Sequence, residues 1–140
     1  MWLLVGIRIR EVRLLKEFVT VDIEDADIKG DIFDTITWLR ILSMYGSHSF
    51  DAILTDGGLF GVERNDEIVR IKHKLLKETG YIYNYTSVIG KKVPDPMGRG
   101  YTFYRIPKAR YTIEEHEKAW EHYKDGNKWQ KLKYKVRLIL

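Results

Sequence analysis

The sequence predicts a single α+β domain: a three-helix core followed by a β-hairpin, with an N-terminal β-hairpin before it and a C-terminal helix and strand after it. Three observations carry this. Apolar residues recur at helical spacing in residues 32–45 and 66–79, as on one face of a 3.6-residue turn. They alternate at period two in 2–10, 18–24, 81–88 and 101–106, the mark of half-buried strands. Gly and Pro separate these runs at Gly46, Gly57-Gly58, Gly80, Pro94, Pro96 and Pro107, where chains turn.

The first strand runs from Trp2 to Arg10, with Leu3, Val5, Ile7 and Ile9 on one parity and Arg8 and Arg10 on the other. In Phe18 to Glu24, Val19, Val21 and Ile23 alternate with Thr20, Asp22 and Glu24. A hairpin through residues 11–16 joins them, so that Arg8 and Arg10 meet Asp22 and Glu24 across the pair. Residues 25–30 form an acidic turn whose ligand spacing does not match a calcium loop.

Asp31 is placed to cap a helix over 32–45 that Gly46 closes, apolar around most of its circumference and therefore at the centre of the core. A short helix follows over 50–56. An alternative reading makes Ser49 to Leu59, "SFDAILTDGGL", a buried strand ending in an acid, resembling a late strand of nucleotide-dependent methyltransferases. Three things set it aside: no Gly-rich strand-to-helix turn precedes it, Gly-Gly follows Asp56 in place of Pro-Pro-aromatic, and 140 residues is short for that fold.

Residues 66–79 are the best-specified helix. Asn65 is its N-cap, Asp66 and Glu67 suit the positive end of its dipole, and Gly80 takes the C′ position. Ile68, Val69, Ile71, Leu75 and Leu76 gather on one side, while Arg70, Lys74 and Lys77 form a cationic line opposite. Residues 81–88 form a strand, 89–100 a basic exposed loop carrying Lys91, Lys92 and Arg99, and 101–106 its partner strand. Thr112 to Glu115 opens a further helix with a capping box and runs to about Lys124. Residues 131–140 alternate cations with apolar residues as a strand, although a helical spacing also fits. His116 and His122 point roughly 240° apart on a helix and read as surface residues. His48 and His73 add no constellation.

The composition limits the function classes. The chain has 44% hydrophobic residues, no cysteine and no apolar run near 18 residues, which excludes disulfides, thiol catalysis and a spanning helix. A cytoplasmic protein with no membrane partner is the expectation. Few amides beside many Lys, Glu and Ile resemble the composition of proteins from hot environments. Residues 1–63 hold six Lys/Arg against eleven Asp/Glu, a balance of −5, whereas residues 64–140 hold eighteen against nine, +9. Such asymmetry suits a polyanionic partner.

The order helix, short helix, basic helix and two-stranded hairpin resembles a winged-helix DNA-binding domain over residues 31–107. "LLKETGYI" at 75–82 and "GRGYTFYRI" at 98–106 resemble the end of a recognition helix and the turn and return strand of a wing. The resemblance implies a small non-enzymatic transcriptional regulator, dimeric and bound to duplex DNA. Arg70, Lys74 and Lys77 would lie in the major groove, and Lys91, Lys92 and Arg99 on the backbone or minor groove. No catalytic residue, metal or cofactor is implied. RNA or single-stranded nucleic acid is the alternative ligand, with Tyr83, Tyr85 and Tyr101 as stacking platforms. Two other classes stay open: a metal-dependent nuclease with Asp51, Asp56, Glu63 and Glu67 as ligands, and a structural or partner-binding protein whose charges serve solubility.

Overall fold

The computed structural model describes residues 1–7, 17–56 and 64–122. Its strands are β1 (Trp2–Val5), β2 (Phe18–Asp22), β3 (Ile28–Lys29), β4 (Phe50–Thr55), β5 (Leu76–Asn84), β6 (Lys91–Pro94) and β7 (Thr102–Pro107). Helix α1 (Thr35–Tyr45) precedes β4, helix α2 (Asp66–Leu75) precedes β5, and residues 113–122 are helical. All seven strands join one sheet in the order β3-β2-β1-β4-β5-β7-β6. The β2–β3, β1–β2, β1–β4 and β4–β5 pairs are parallel; β7 runs antiparallel to both β5 and β6.

The winged-helix core is therefore replaced by a mixed, mostly parallel sheet in which strands dominate. Residues 50–56 are not a helix: 50–55 form the central strand β4. The strand reading of "SFDAILTDGGL" holds for its first half, and 57–59 lie outside the described residues. The first two strands are not a hairpin. They lie side by side and parallel, Leu3 opposite Val19, and a parallel pair needs a crossover of about a dozen residues, which the link from Gly6 to Glu17 supplies. Burial explains why. Leu3, Leu4 and Val5 are all at most 1% exposed, as are Ile53 and Leu54, so these strands are covered on both faces, as in parallel sheets.

One face carries Leu3, Val5, Val19, Val21, Ile53 and Ile82 beneath Trp38 and Ile41 of α1 and Ile68, Ile71 and Leu75 of α2, with Tyr111. The other carries Leu4, Ile7, Leu54, Met97 and Phe103. Helix α1 is shorter than expected and is capped by Asp34, whose carboxylate accepts from Ile36 N at 3.0 Å; Asp31 instead accepts from Phe33 N in the preceding turn. It is not wrapped by neighbours, since Ile36, Leu39 and Met44 are half exposed or more. In α2 the Asn65 cap forms as expected, Oδ1 accepting from Ile68 N at 3.2 Å.

Helix α2 ends at Leu75 and β5 starts at the next residue, so Lys77 and Gly80 belong to a strand. Between the pairs Phe50–Leu76 and Ala52–Tyr81, residues 77–80 bulge out opposite Asp51. A Cβ on Gly80 would lie 2.9 Å from Lys77 O, so the bulge closes only over glycine. Residues 89–100 are not a plain exposed loop: they contain β6 and bury Ile89, Asp95 and Met97. The capping box forms in part, Glu115 N donating to Thr112 Oγ1 at 3.1 Å. His116 is fully buried on the edge of the Tyr111 ring, not a surface residue. The expected turn at 11–16 and strand at 131–140 lie outside the described residues.

Candidate ligand site at the carboxyl edge of the sheet

The sheet order places one feature above the rest. From β1 the winding goes outward through β2 to β3 on one side and through β4 to β5 on the other, so the order reverses between β1 and β4. In open sheets of this kind the connections diverge at that point and leave a crevice beyond the carboxyl ends of the strands. The end of β1 is tied there to both of its neighbours, β4 and β2. Asp56 N donates to Val5 O at 3.0 Å, and Gly6 N donates to Val21 O at 2.8 Å. Gly6 has a φ of +77°, and a Cβ on it would lie 2.9 Å from Asp56 O, so glycine is required twice over, by conformation and by space.

Around this point stand the ends of the neighbouring strands. Asp22 closes β2, half-buried, one carboxylate oxygen accepting from Ile23 N at 2.7 Å, and Glu24 and Asp25 follow it, exposed. Asp27 turns back, accepting from Thr20 N at 2.9 Å. The acidic turn thus braces the β2–β3 loop.

Asp56 extends β4 on the face of Leu54 and Phe103, where residues 95–101 fold over it as a strap. Asp95, buried, accepts from Met97 N at 2.8 Å and Arg99 Nε at 2.8 Å, and Arg99 Nη1 donates to Asp56 at 2.7 Å. The guanidinium lies 5.2 Å from the Tyr101 ring centre and 5.7 Å from that of Phe103. Burial alone pulls the Arg99 guanidinium down, but hydrogen bonds and charge from Asp95 and Asp56 outweigh it and hold it above the ordinary arginine value. Tyr85 and Tyr101 flank the strap, partly exposed, in edge contact.

On the opposite face, Thr55 and its cross-strand neighbour Asn84 are 2% and 4% exposed, and neither Thr55 Oγ1 nor Asn84 Oδ1 has a hydrogen-bond partner among the described residues. Thr55 lines a cavity of about 50 Å³ together with Val5, Ile32, Trp38, Asn65 and Lys72. Lys72 is 1% exposed. Its Nζ donates to Tyr111 Oη at 2.9 Å and lies 5.0 Å from the ring centres of Trp38 and of Tyr111. The sequence held a signal for it: residue 72 follows Ile68 by four and precedes Leu75 by three, which puts it on the apolar stripe.

The expected nucleic-acid contacts are dispersed over several elements. Arg70 is exposed on α2 and paired with Asp66 at 2.7 Å; Lys74 is exposed on the same helix. Lys77 sits in the β5 bulge, 2.9 Å from Asp51. Lys91 and Lys92 are exposed on the edge strand β6, whereas Arg99 is the pin of the strap. The expectation of a duplex-DNA partner drew on the winged-helix order, which the mixed sheet overturns, and on the basic charge of residues 64–140, which is independent of the fold. Of the nuclease carboxylates, Asp51 pairs with the Met1 amino group and Lys77, Asp56 pairs with Arg99, and Glu63 lies outside the described residues. Among the described residues no three His, Asp or Glu side chains are grouped to hold a metal, and no helix is long and apolar enough to cross a membrane.

Comparison with family models, with curated proteins and with solved structures finds no match to the chain.

Proposed function

We propose that the chain binds a nucleoside-type ligand across the carboxyl ends of β1 and β4, and that it serves nucleoside-dependent group transfer like that of the methyltransferases residues 49–59 resemble. The observation that carries the reading is the sheet order, with its reversal between β1 and β4. It is the arrangement expected if the likeness of residues 49–59 extends to the whole sheet, with β4 central and its acid, Asp56, at the crevice.

The residues at the edge narrow the ligand class. Dinucleotide sites cradle a pyrophosphate on a glycine-rich first turn. Here Gly6 is the only glycine between β1 and β2, so recognition falls on sugar and base. In such folds an acid some twenty residues beyond the first turn accepts hydrogen bonds from ribose hydroxyls. Asp22 and Glu24 follow Gly6 by sixteen and eighteen residues and stand at the end of β2. Arg99 holds Asp56 in place and neutralises it, which makes Asp56 a shaping residue at the transfer end of the crevice.

Thermal unfolding with S-adenosylhomocysteine, adenosine, NAD and ATP tests this. A nucleoside present at about a hundred times its Kd stabilises by about 2.7 kcal/mol, a rise of roughly 5–10 °C for a domain of this size. The adenosyl ligands should raise Tm and Asp22→Ala should weaken them about tenfold or more, near 1.4 kcal/mol. No shift with any nucleoside would overturn the reading.

A further inference from the structure

The cavity beside Thr55 has a chemistry that the nucleoside reading does not use. Its lining is mostly apolar, from Val5, Ile32, Phe33, Trp38 and Ile68, with Thr55, Asn65 and Lys72 as its polar members. Of these, Thr55 carries a hydroxyl that is out of water and without a partner among the described residues, a costly state for a buried donor. Lys72 lines the same cavity, its buried Nζ donating to Tyr111 Oη at 2.9 Å and lying over Trp38, in a wall of low dielectric where charge acts more strongly than in water. Asn65 also caps α2, so the positive end of that helix dipole is turned toward the same space.

Size decides what enters. A cavity of about 50 Å³ is more than a single water requires and has room for a small solute. A carboxylate with at most a methyl group is of that scale. The apolar walls favour an ion that carries carbon over a phosphate, and a nucleoside is far too large. Of the lining, Phe33 is exposed and Ile32 half-buried, so the cavity lies close to the surface.

We propose that this cavity is a binding site for a small carboxylate of formate or acetate size, its oxygens accepting from Thr55 Oγ1 and facing the Lys72 ammonium, with the apolar walls around its carbon. The proposal stands independently of the nucleoside reading, because it concerns the helix-covered face and a different ligand.

Titration of the whole chain with sodium acetate and sodium formate, followed by Trp fluorescence and by the Thr55 amide resonance at constant ionic strength, tests it. Sodium phosphate and sodium chloride serve as controls. Saturable binding of acetate or formate, lost at least tenfold in both Thr55→Val and Lys72→Met, is the expected result. Lys72→Met fills the same space without charge; should it fail to fold, the isosteric Thr55→Val decides alone. Equal responses to all four salts, no response at all, or unchanged acetate binding in Thr55→Val would overturn the proposal.

Discussion

The end of strand β4 is finished in opposite ways on the two faces of the sheet. On the face of Phe103, Asp56 is closed off by Arg99, whose guanidinium also meets Asp95 and two aromatic rings. One residue earlier, on the face of the helices, Thr55 and Asn84 bring side-chain oxygens into the interior and leave them unbonded among the described residues. The strap spends most of its polar groups on its own integrity, Arg99 Nη2 alone of its guanidinium nitrogens being left without a partner among the described residues. The helix side holds buried oxygens in reserve on an apolar wall, which suits it to take up a small molecule.

Replacing Arg99 breaks that contrast most severely. Arg99→Met leaves the buried Asp95 carboxylate without its counter-charge, and removing one partner of a buried pair costs about 3 kcal/mol or more. Urea unfolding at neutral pH should show that loss. A change under about 1 kcal/mol, the size of a surface pair, would mean that the strap is an ordinary loop. Next in size is Gly6→Ala, which puts a Cβ against Asp56 O in a left-handed backbone and should cost about 2 kcal/mol by the same assay. It strikes the junction of β1 and β4 that both faces share.

Thr55→Val should act in the other direction. It removes a hydroxyl that has no partner and keeps the shape, so stability should hold or rise by up to about 1 kcal/mol. A loss above that would show that the hydroxyl is already bonded in the folded chain. The smallest effect lies at the far, amino end of the sheet. Hydrogen bonds from the Met1 amino group, then from Lys77, hold the Asp51 carboxyl below its ordinary value. A carboxyl depressed on folding stabilises fully above its unfolded pKa of about 3.9 and loses that contribution as pH falls through the lower folded value. Asp51 is about half exposed, so no more than about 0.5 kcal/mol should vanish below about pH 4, and Asp51→Asn should flatten that part of the profile.

Much of this was legible in the sequence, and the rest was hidden for physical reasons. The Asn65 cap fixed the start of α2, and β1, β2 and β7 lie within or close to their expected spans. Strand direction was not legible, because Arg8 and Arg10, outside the described residues, made a buried run look like one-sided alternation. The stronger signal was the unbroken Leu3-Leu4-Val5 and Ala52-Ile53-Leu54-Thr55, which marks strands covered on both faces. Gly80 misled as a helix stop because a glycine that closes a bulge and one that ends a helix leave the same trace. At the site, Asp56 could be read as an acid ending a strand. Arg99 could not be separated from Lys91 and Lys92, since only the folded strap brings residues 56 and 99 together.

Amide chemical-shift mapping with S-adenosylhomocysteine on uniformly labelled protein tests the central claim most directly. A ligand seated across β1 and β4 should move Gly6, Ile23 and Asp56 together while Lys91 to Val93 stay in place. Shifts confined to the β6 edge, or none at saturating ligand, would contradict it.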